Sequence, residues 1–247
     1  MTEGAPQARN AKRSETVAKR IADEIFADGL HPGAKLPPEH VMLERLGVSR
    51  GTLREALRLL EVQGLLVIRS GPRGGPTVAA MTAHDFNKSC SLHFKAAGIT
   101  VAQLWQARVE LEPTLARMAT TQLSAESRAE LEDLLTQAKA TSVEDNTQYI
   151  RFGSMFHRQI ARASGNPVLS LFARSLGEMT AYLESRNVFP QSEHERVHRE
   201  HIEILEAILA GDAELAEQLV ARHMQDMHDT HRERYPGLLD NVLPYII

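Results

Sequence analysis

Apolar residues recur at helical spacing along most of this chain, and the pattern breaks once. Near the start, Val17, Ile21, Ile25 and Phe26 fall on the inward side of a helix expected over 14–27, with Ser14 as its cap and Asp28-Gly29 as its end. Val41, Leu43 and Leu46 predict a short helix over 38–46, and Gly47 can turn the chain after it. Leu53, Leu57 and Leu60 recur at i, i+4 and i+7, which predicts a helix over 50–63 that Ser49 caps and Gly64 ends. The period then changes. LLVIR at 65–69 is apolar and partly β-branched, SGPRGGP at 70–76 is incompatible with helix, and TVA at 77–79 can return as a second strand. Helix, turn, helix and Gly-rich hairpin make a winged helix-turn-helix over 10–80. Residues 1–12 are small and polar and are expected to be disordered, with Arg9, Lys12 and Arg13 within reach of DNA.

Beyond residue 80 only helical periodicity is left. Amphipathic helices are expected over 84–96, over 100–122 with Thr100 as cap and Pro113 as a kink, and from Ser124 to about 142. Four more follow over 146–165, 167–186, 192–211 and 212–235, punctuated by Gly165-Asn166-Pro167 and by Gly211 before the capping Asp212. Seven helices without a credible strand predict an antiparallel bundle over 83–235. The fold class is therefore mainly α, with one small β-hairpin. The segment 236–247 is unusually apolar for a tail and is expected to pack on something.

Composition narrows the setting. The 247 residues are 43% hydrophobic and 24% charged, ordinary for a globular protein, and no apolar run approaches the ~20 residues that span a bilayer. The N-terminus lacks the apolar core of a signal peptide, and a single cysteine, Cys90, excludes an internal disulfide framework. A cytoplasmic protein is the expectation. The net charge of −4 hides an asymmetry: residues 1–82 carry 12 Lys+Arg against 9 Asp+Glu, and the remainder carries 16 against 23. A polyanion can dock only at the N-terminal end. An excess of three charges is modest, so affinity would gain from two copies in a homodimer.

The polar residues of the first half sit where DNA chemistry needs them. Arg50, Thr52 and Arg54 lie near the start of the second helix of the motif, off its buried stripe, where a recognition helix meets base edges. Arg suits bidentate bonding to guanine, Ser and Thr reach phosphate or base, and a Gly-rich wing tip bearing Arg73 can approach the backbone closely. A structural helical hairpin with solvated arginines is the alternative. LPPEHVMLERLGVSRGTLREALRLLEVQGLLVIRSGPRGG resembles the DNA-binding domain of the GntR family of bacterial transcription regulators. That resemblance implies DNA contacts at His40, Ser49, Arg50, Arg54, Ser70 and Gly71. Two departures stand out: His40 replaces a usual Arg, and Pro38 replaces a usual Ser cap.

In the second half, eleven histidines in the whole chain invite a metal reading. His31, His40, His84 and His93 are scattered, and His194, His198, His228 and His231 read as polar residues on exposed helix faces. His157, His201 and His223 each lie on a separate helix beside apolar neighbours and can point to one spot, although separate core histidines would satisfy the same spacing. Arg108 and Glu112 share a helix face at i,i+4, either as a wet surface pair or as a carboxylate clamp. The segments LWQARVELEP at 104–113, FHRQIARASGNP at 156–167 and HIEILEAILAGD at 201–212, with ARHM at 221–224, are similar to the FCD ligand-binding domain of the FadR subfamily. The resemblance implies that the three histidines bind a divalent metal such as zinc and that Arg108 holds the carboxylate of a small effector. Arg108 is expected at the mouth of the site with Glu112 beside it, and Trp105 and Tyr149 can supply apolar wall. It also implies an Asp four residues before His157, where this chain has Gly153. Either water or a bound carboxylate completes the shell, or the histidines hydrogen-bond an organic acid without metal. The reading is a transcription regulator, usually a repressor, that binds a double-stranded pseudopalindromic operator as a homodimer and answers to a small carboxylate. A direct metal sensor and a metal-dependent enzyme fused to a DNA-binding domain are the alternatives; no general base or Gly-rich phosphate loop supports the enzyme.

Overall fold

The computed structural model describes residues 5–71, 74–80, 83–140, 146–185, 191–235 and 237–245. It divides into two units, residues 1–85 and 86–247. The first unit holds α1 (Ala5–Ala27), α2 (Glu39–Leu46), α3 (Arg50–Val62), β1 (Leu66–Arg69) and β2 (Gly75–Val78). α1 starts at Ala5, so the expected disorder over 1–12 is corrected for residues 5–12. The reason is local: after Pro6, tolerated in a first turn, the segment QARNAKR contains no glycine and mostly good helix formers. Ser14 is consequently a buried residue inside the helix rather than its cap.

Val17, Ile21 and Ile25 face the core as expected, but Phe26 is 67% exposed, one position round from Ile25. Met42, not Val41, is the fully buried residue of α2, with Leu43 and Leu46 packed beside it. Pro38 is the N-cap of α2 and provides no side-chain bond; its carbonyl accepts Met42 N–H, and Glu39 supplies negative charge to the first turn. Gly47 closes α2 at φ 65, a left-handed backbone that favours glycine. Ser49 caps α3, and Leu53, Leu57 and Leu60 are buried on it. β1 and β2 pair antiparallel, with Leu66 opposite Val78 and Arg69 opposite Gly75.

The second unit is helical: most of α4 (Ala83–Ala96), then α5 (Val101–Thr121), α6 (Ala125–Ala140), α7 (Asn146–Ala163), α8 (Pro167–Glu184), α9 (Gln191–Ala210) and α10 (Ala213–Arg234). Thr100 and Gln103 form a reciprocal capping box at the start of α5, and the helix continues through Pro113. Asn166 and Asp212 cap α8 and α10. α5 packs along α10 and α7 along α8, around a core that includes Trp105, Phe156, Ile204, Ile208 and Met224. Among the described residues, no helix is long and apolar enough to cross a membrane.

The C-terminal segment joins this core. Leu239 and Leu243 are buried in it, Val101 N–H donates to Asn241 O, Ala102 N–H to Leu239 O, and Leu243 N–H to Ile99 O. Backbone carbonyls of the tail thereby satisfy donors left open at the start of α5. Leu239 and Leu243 are thus covered within their own unit, whereas Val242 is 47% exposed.

Candidate functional site

α3 presents one polar face. Arg50, Arg54 and Arg58, spaced at i, i+4 and i+8, are all exposed. Ser49 is exposed at the cap, where its Oγ accepts Thr52 N–H at 3.2 Å. Thr52 is 6% exposed, with its hydroxyl 2.9 Å from Ser49 Oγ. Its expected role at DNA is therefore corrected: Thr52 falls on the line of Ala56 and Leu60, both buried, and helps to fix the cap. Arg54 is held by α2, its Nε 3.1 Å from Glu39 Oε1 and an Nη2 3.4 Å from Oε2. His40, next to Glu39, is exposed, as are Ser70 and Gly71 at the hairpin tip. The tip requires glycine: a Cβ on Gly74 would lie 2.1 Å from Arg69 O, and Gly71 sits at φ +105. Arg73 lies outside the described residues, and the side chain of Arg9 is likewise not described.

In the helical unit, His157 (α7), His201 (α9) and His223 (α10) come together, with one nitrogen from each within 4.8 Å of the others. His201 Nε2 is 3.3 Å from His223 Nε2. Two ligands of a tetrahedral zinc at ~2.05 Å would stand about 3.3 Å apart, so this pair has ligand spacing. Carboxylates set two of the rings. Glu112 Oε2 is 2.5 Å from His157 Nδ1, and Glu200 Oε2 is 2.8 Å from His223 Nδ1, which leaves Nε2 of each ring to face inward. Burial, with His223 and His157 adding to it, pushes His201 well below the usual histidine range, so it stays neutral and able to donate a lone pair. His157 is also lowered, by burial first, despite the opposing pull of Glu112. A Cβ on Gly153 would touch only His201 Cε1, at 3.7 Å, so the absent aspartate corresponds to open space beside the cluster. The donor set fits a divalent ion.

Arg108 is 4% exposed, neither a wet surface pair nor a group at a mouth. Its Nε is 2.5 Å from Glu112 Oε1, its Nη1 2.6 Å from Thr180 Oγ1, and its guanidinium stacks 5.1 Å from the Trp105 ring centre. Burial raises the Glu112 pKa, but Arg108 and His157 outweigh it and hold the group down to about 2. A cavity of about 70 Å³ lies against this assembly, lined by Arg108, the three histidines, Thr180 and Glu184 among others. That is several times the space one water requires. Trp105 and Tyr149 form part of its wall, as expected. Glu112 does not line it. Both its oxygens are engaged, so its expected contact with an effector is corrected to one of fixing Arg108 and His157.

His194, His198 and His231 are buried, which corrects their reading as exposed. His194 stacks on Tyr149, His198 Nε2 lies 2.8 Å from Ala138 O, and His231 packs on Trp105. Glu200, Thr180, Glu184 and Arg174 were not singled out by sequence. Only Glu200, adjacent to His201, offered a signal.

Residues 13–74 match the domain described as bacterial regulatory proteins, gntR family, and residues 103–226 match the FCD domain. The chain belongs to the FCD-bearing GntR family. It is a DNA-binding transcription regulator with a ligand-binding domain, and the family's members are regulators rather than enzymes. This GntR chain is 29% identical over 232 residues to the HTH-type transcriptional repressor NanR of Klebsiella aerogenes, covering 92% of the chain and 88% of that relative. It is 29% identical over 234 residues to NanR of Citrobacter rodentium, covering 91% and 87%. Streptococcus agalactiae GntR shares its fold at a TM-score of 0.70 and 22% identity, over 88% of this chain and 99% of that one.

Proposed function

We propose that this GntR regulator represses transcription as a homodimer on a pseudopalindromic operator, and that a small carboxylate bound in the helical unit controls its hold on DNA. In this reading Arg50 and Arg54 contact bases, Ser49 and His40 contact the backbone or bases, and Ser70, Gly71 and Arg73 bring the wing to phosphate. Arg54 exchanges its exposed pairing with Glu39 for DNA; such a surface pair contributes little stability, so releasing it costs little. The observation that carries the effector half is the convergence of half-buried His157, buried His201 and His223, and Arg108 on one cavity.

His157, His201 and His223 would hold a divalent ion such as zinc, and the effector's carboxylate or water would stand in the position that Gly153 leaves without an aspartate. The ion supplies positive charge and an open coordination position for an anionic ligand. Glu112 and Glu200 orient the rings, and Arg108, preorganised by Glu112, Thr180 and Trp105, supplies a charge that needs no rearrangement on binding. Metal analysis of dialysed protein, followed by melting with and without carboxylates, tests this. Stoichiometric metal and acid-dependent stabilisation are expected. Stabilisation by metal alone, with acids inert and operator binding following metal, would favour a direct metal sensor instead.

A further inference from the structure

Glu184 is a charged group of the cavity wall to which neither metal nor carboxylate binding gives a task. It is the last residue of α8, and its side chain is 15% exposed. Among the described residues, no hydrogen bond reaches its carboxylate. The nearest basic atom is His231 Nε2, at 3.6 Å, beyond hydrogen-bond length. His231 Nδ1 lies 2.7 Å from Met227 O, a carbonyl that can only accept, so the proton sits on Nδ1 and Nε2 is itself an acceptor. Two acceptors therefore face each other. Arg108, whose opposite charge acts on Glu184, has Nε and Nη1 committed to Glu112 and Thr180. Burying a carboxylate without a donor is costly, and a ligand donor would remove that cost. Burial accordingly pushes Glu184 up to about 7, with Arg108 opposing and Glu112 assisting.

We propose that Glu184 reads a hydrogen-bond donor on the effector, so that the cavity selects a hydroxy acid over the plain carboxylic acid. The proposal rests on the reading of the cavity as a carboxylate site and specifies its ligand class. A neutral hydroxyl is favoured over an ammonium because Arg108, Arg158 and Arg174 line the cavity and repel a second cation, outnumbering the two carboxylates of its wall, Glu178 and Glu184. The acid's carboxylate meets Arg108 and the histidine cluster; its hydroxyl donates to Glu184. Glu184 is then a specificity-determining residue with no part in holding the metal.

The test is a thermal-shift titration of the full-length protein with matched probes: malate against succinate, lactate against propionate, 3-hydroxybutyrate against butyrate, and alanine as the ammonium counterpart of lactate. In wild type, at least one hydroxy acid should bind about tenfold or more tighter than its deoxy partner, the worth of a hydrogen bond to a charged group. Glu184→Leu should abolish the hydroxy acid's advantage over its partner, whatever the shift common to both acids on losing the Glu184 charge. Glu184→Gln, which keeps an acceptor oxygen, should restore part of the preference. Equal affinities for each pair in wild type would overturn the proposal while the carboxylate reading stands. So would a preference that survives in both variants, or tighter binding of alanine than of lactate. Failure of every acid to stabilise wild type would remove the carboxylate reading, and this inference with it.

Discussion

Replacing Glu184 by Gln should stabilise the ligand-free protein, and increasingly so as pH rises. The folded-state pKa of Glu184 lies near 7 against an ordinary 4.5. A raised carboxyl binds its proton more tightly folded than unfolded, so its ionisation penalises the native state. That penalty is absent below about pH 4.5, grows with pH and is complete above about 7. At about 1.4 kcal/mol per pH unit it reaches roughly 1 kcal/mol at pH 5.5 and roughly 3 kcal/mol by pH 8. Gln keeps the shape and cannot ionise, so the variant should escape that cost. His231, lowered to about 4 mainly by burial, stays neutral from pH 5.5 to 8.5 and adds little to the difference. Urea unfolding of wild type and Glu184→Gln at pH 5.5, 7 and 8.5, without added acids, measures the gap. A gap that opens with pH supports a carboxylate kept in the wall at the expense of stability, as expected of a ligand-binding group. A flat gap, or a less stable variant at pH 8.5, would refute the reasoning.

Arg54→Ala should weaken binding to DNA selected from a random library by tenfold or more, leave far-UV circular dichroism unchanged, and make the affinity less salt-dependent. Unaltered affinity would remove Arg54 from the interface. Gly74→Ala, which places a methyl 2.1 Å from Arg69 O, should cost about 1–3 kcal/mol in unfolding and weaken DNA binding through the wing; unchanged melting would show that the tip can relax. Phe156→Ala should cost about 3–5 kcal/mol, because the ring is fully buried and stacked 4.0 Å from His201. Gly153→Asp should retain more metal against a chelator, measured by elemental analysis after dialysis; unchanged retention would place the new carboxylate outside the cluster.

The elements were legible where period and punctuation agreed. Ser49, Thr100, Asn166 and Asp212 are caps whose chemistry is visible in one residue, and Gly47 and Gly74 mark turns that only glycine makes comfortably. Thr52 was misread because its position near the start of α3 suggested exposure, whereas the caps and the Ala56–Leu60 line decide which way it turns. The buried histidines of α9 and α10 were misread for a related reason. A polar side chain in a helical period looks like surface until a partner appears, and the partners, Tyr149, Ala138 O and Trp105, lie on other helices. The three-histidine cluster was nameable by resemblance, but its spacing required packing of α7, α9 and α10. Glu184 carried no local signal at all, because its isolation from donors is a property of the cavity.

The central claim is that the cavity controls the hold on DNA, and operator affinity measured with and without a stabilising acid tests it most directly. In wild type the acid should change affinity by tenfold or more. Arg108→Lys and His201→Gln should bind the same DNA as tightly as wild type without acid, which shows them folded, and lose most of the response. A full response in both variants would contradict the account and leave the cluster as core packing.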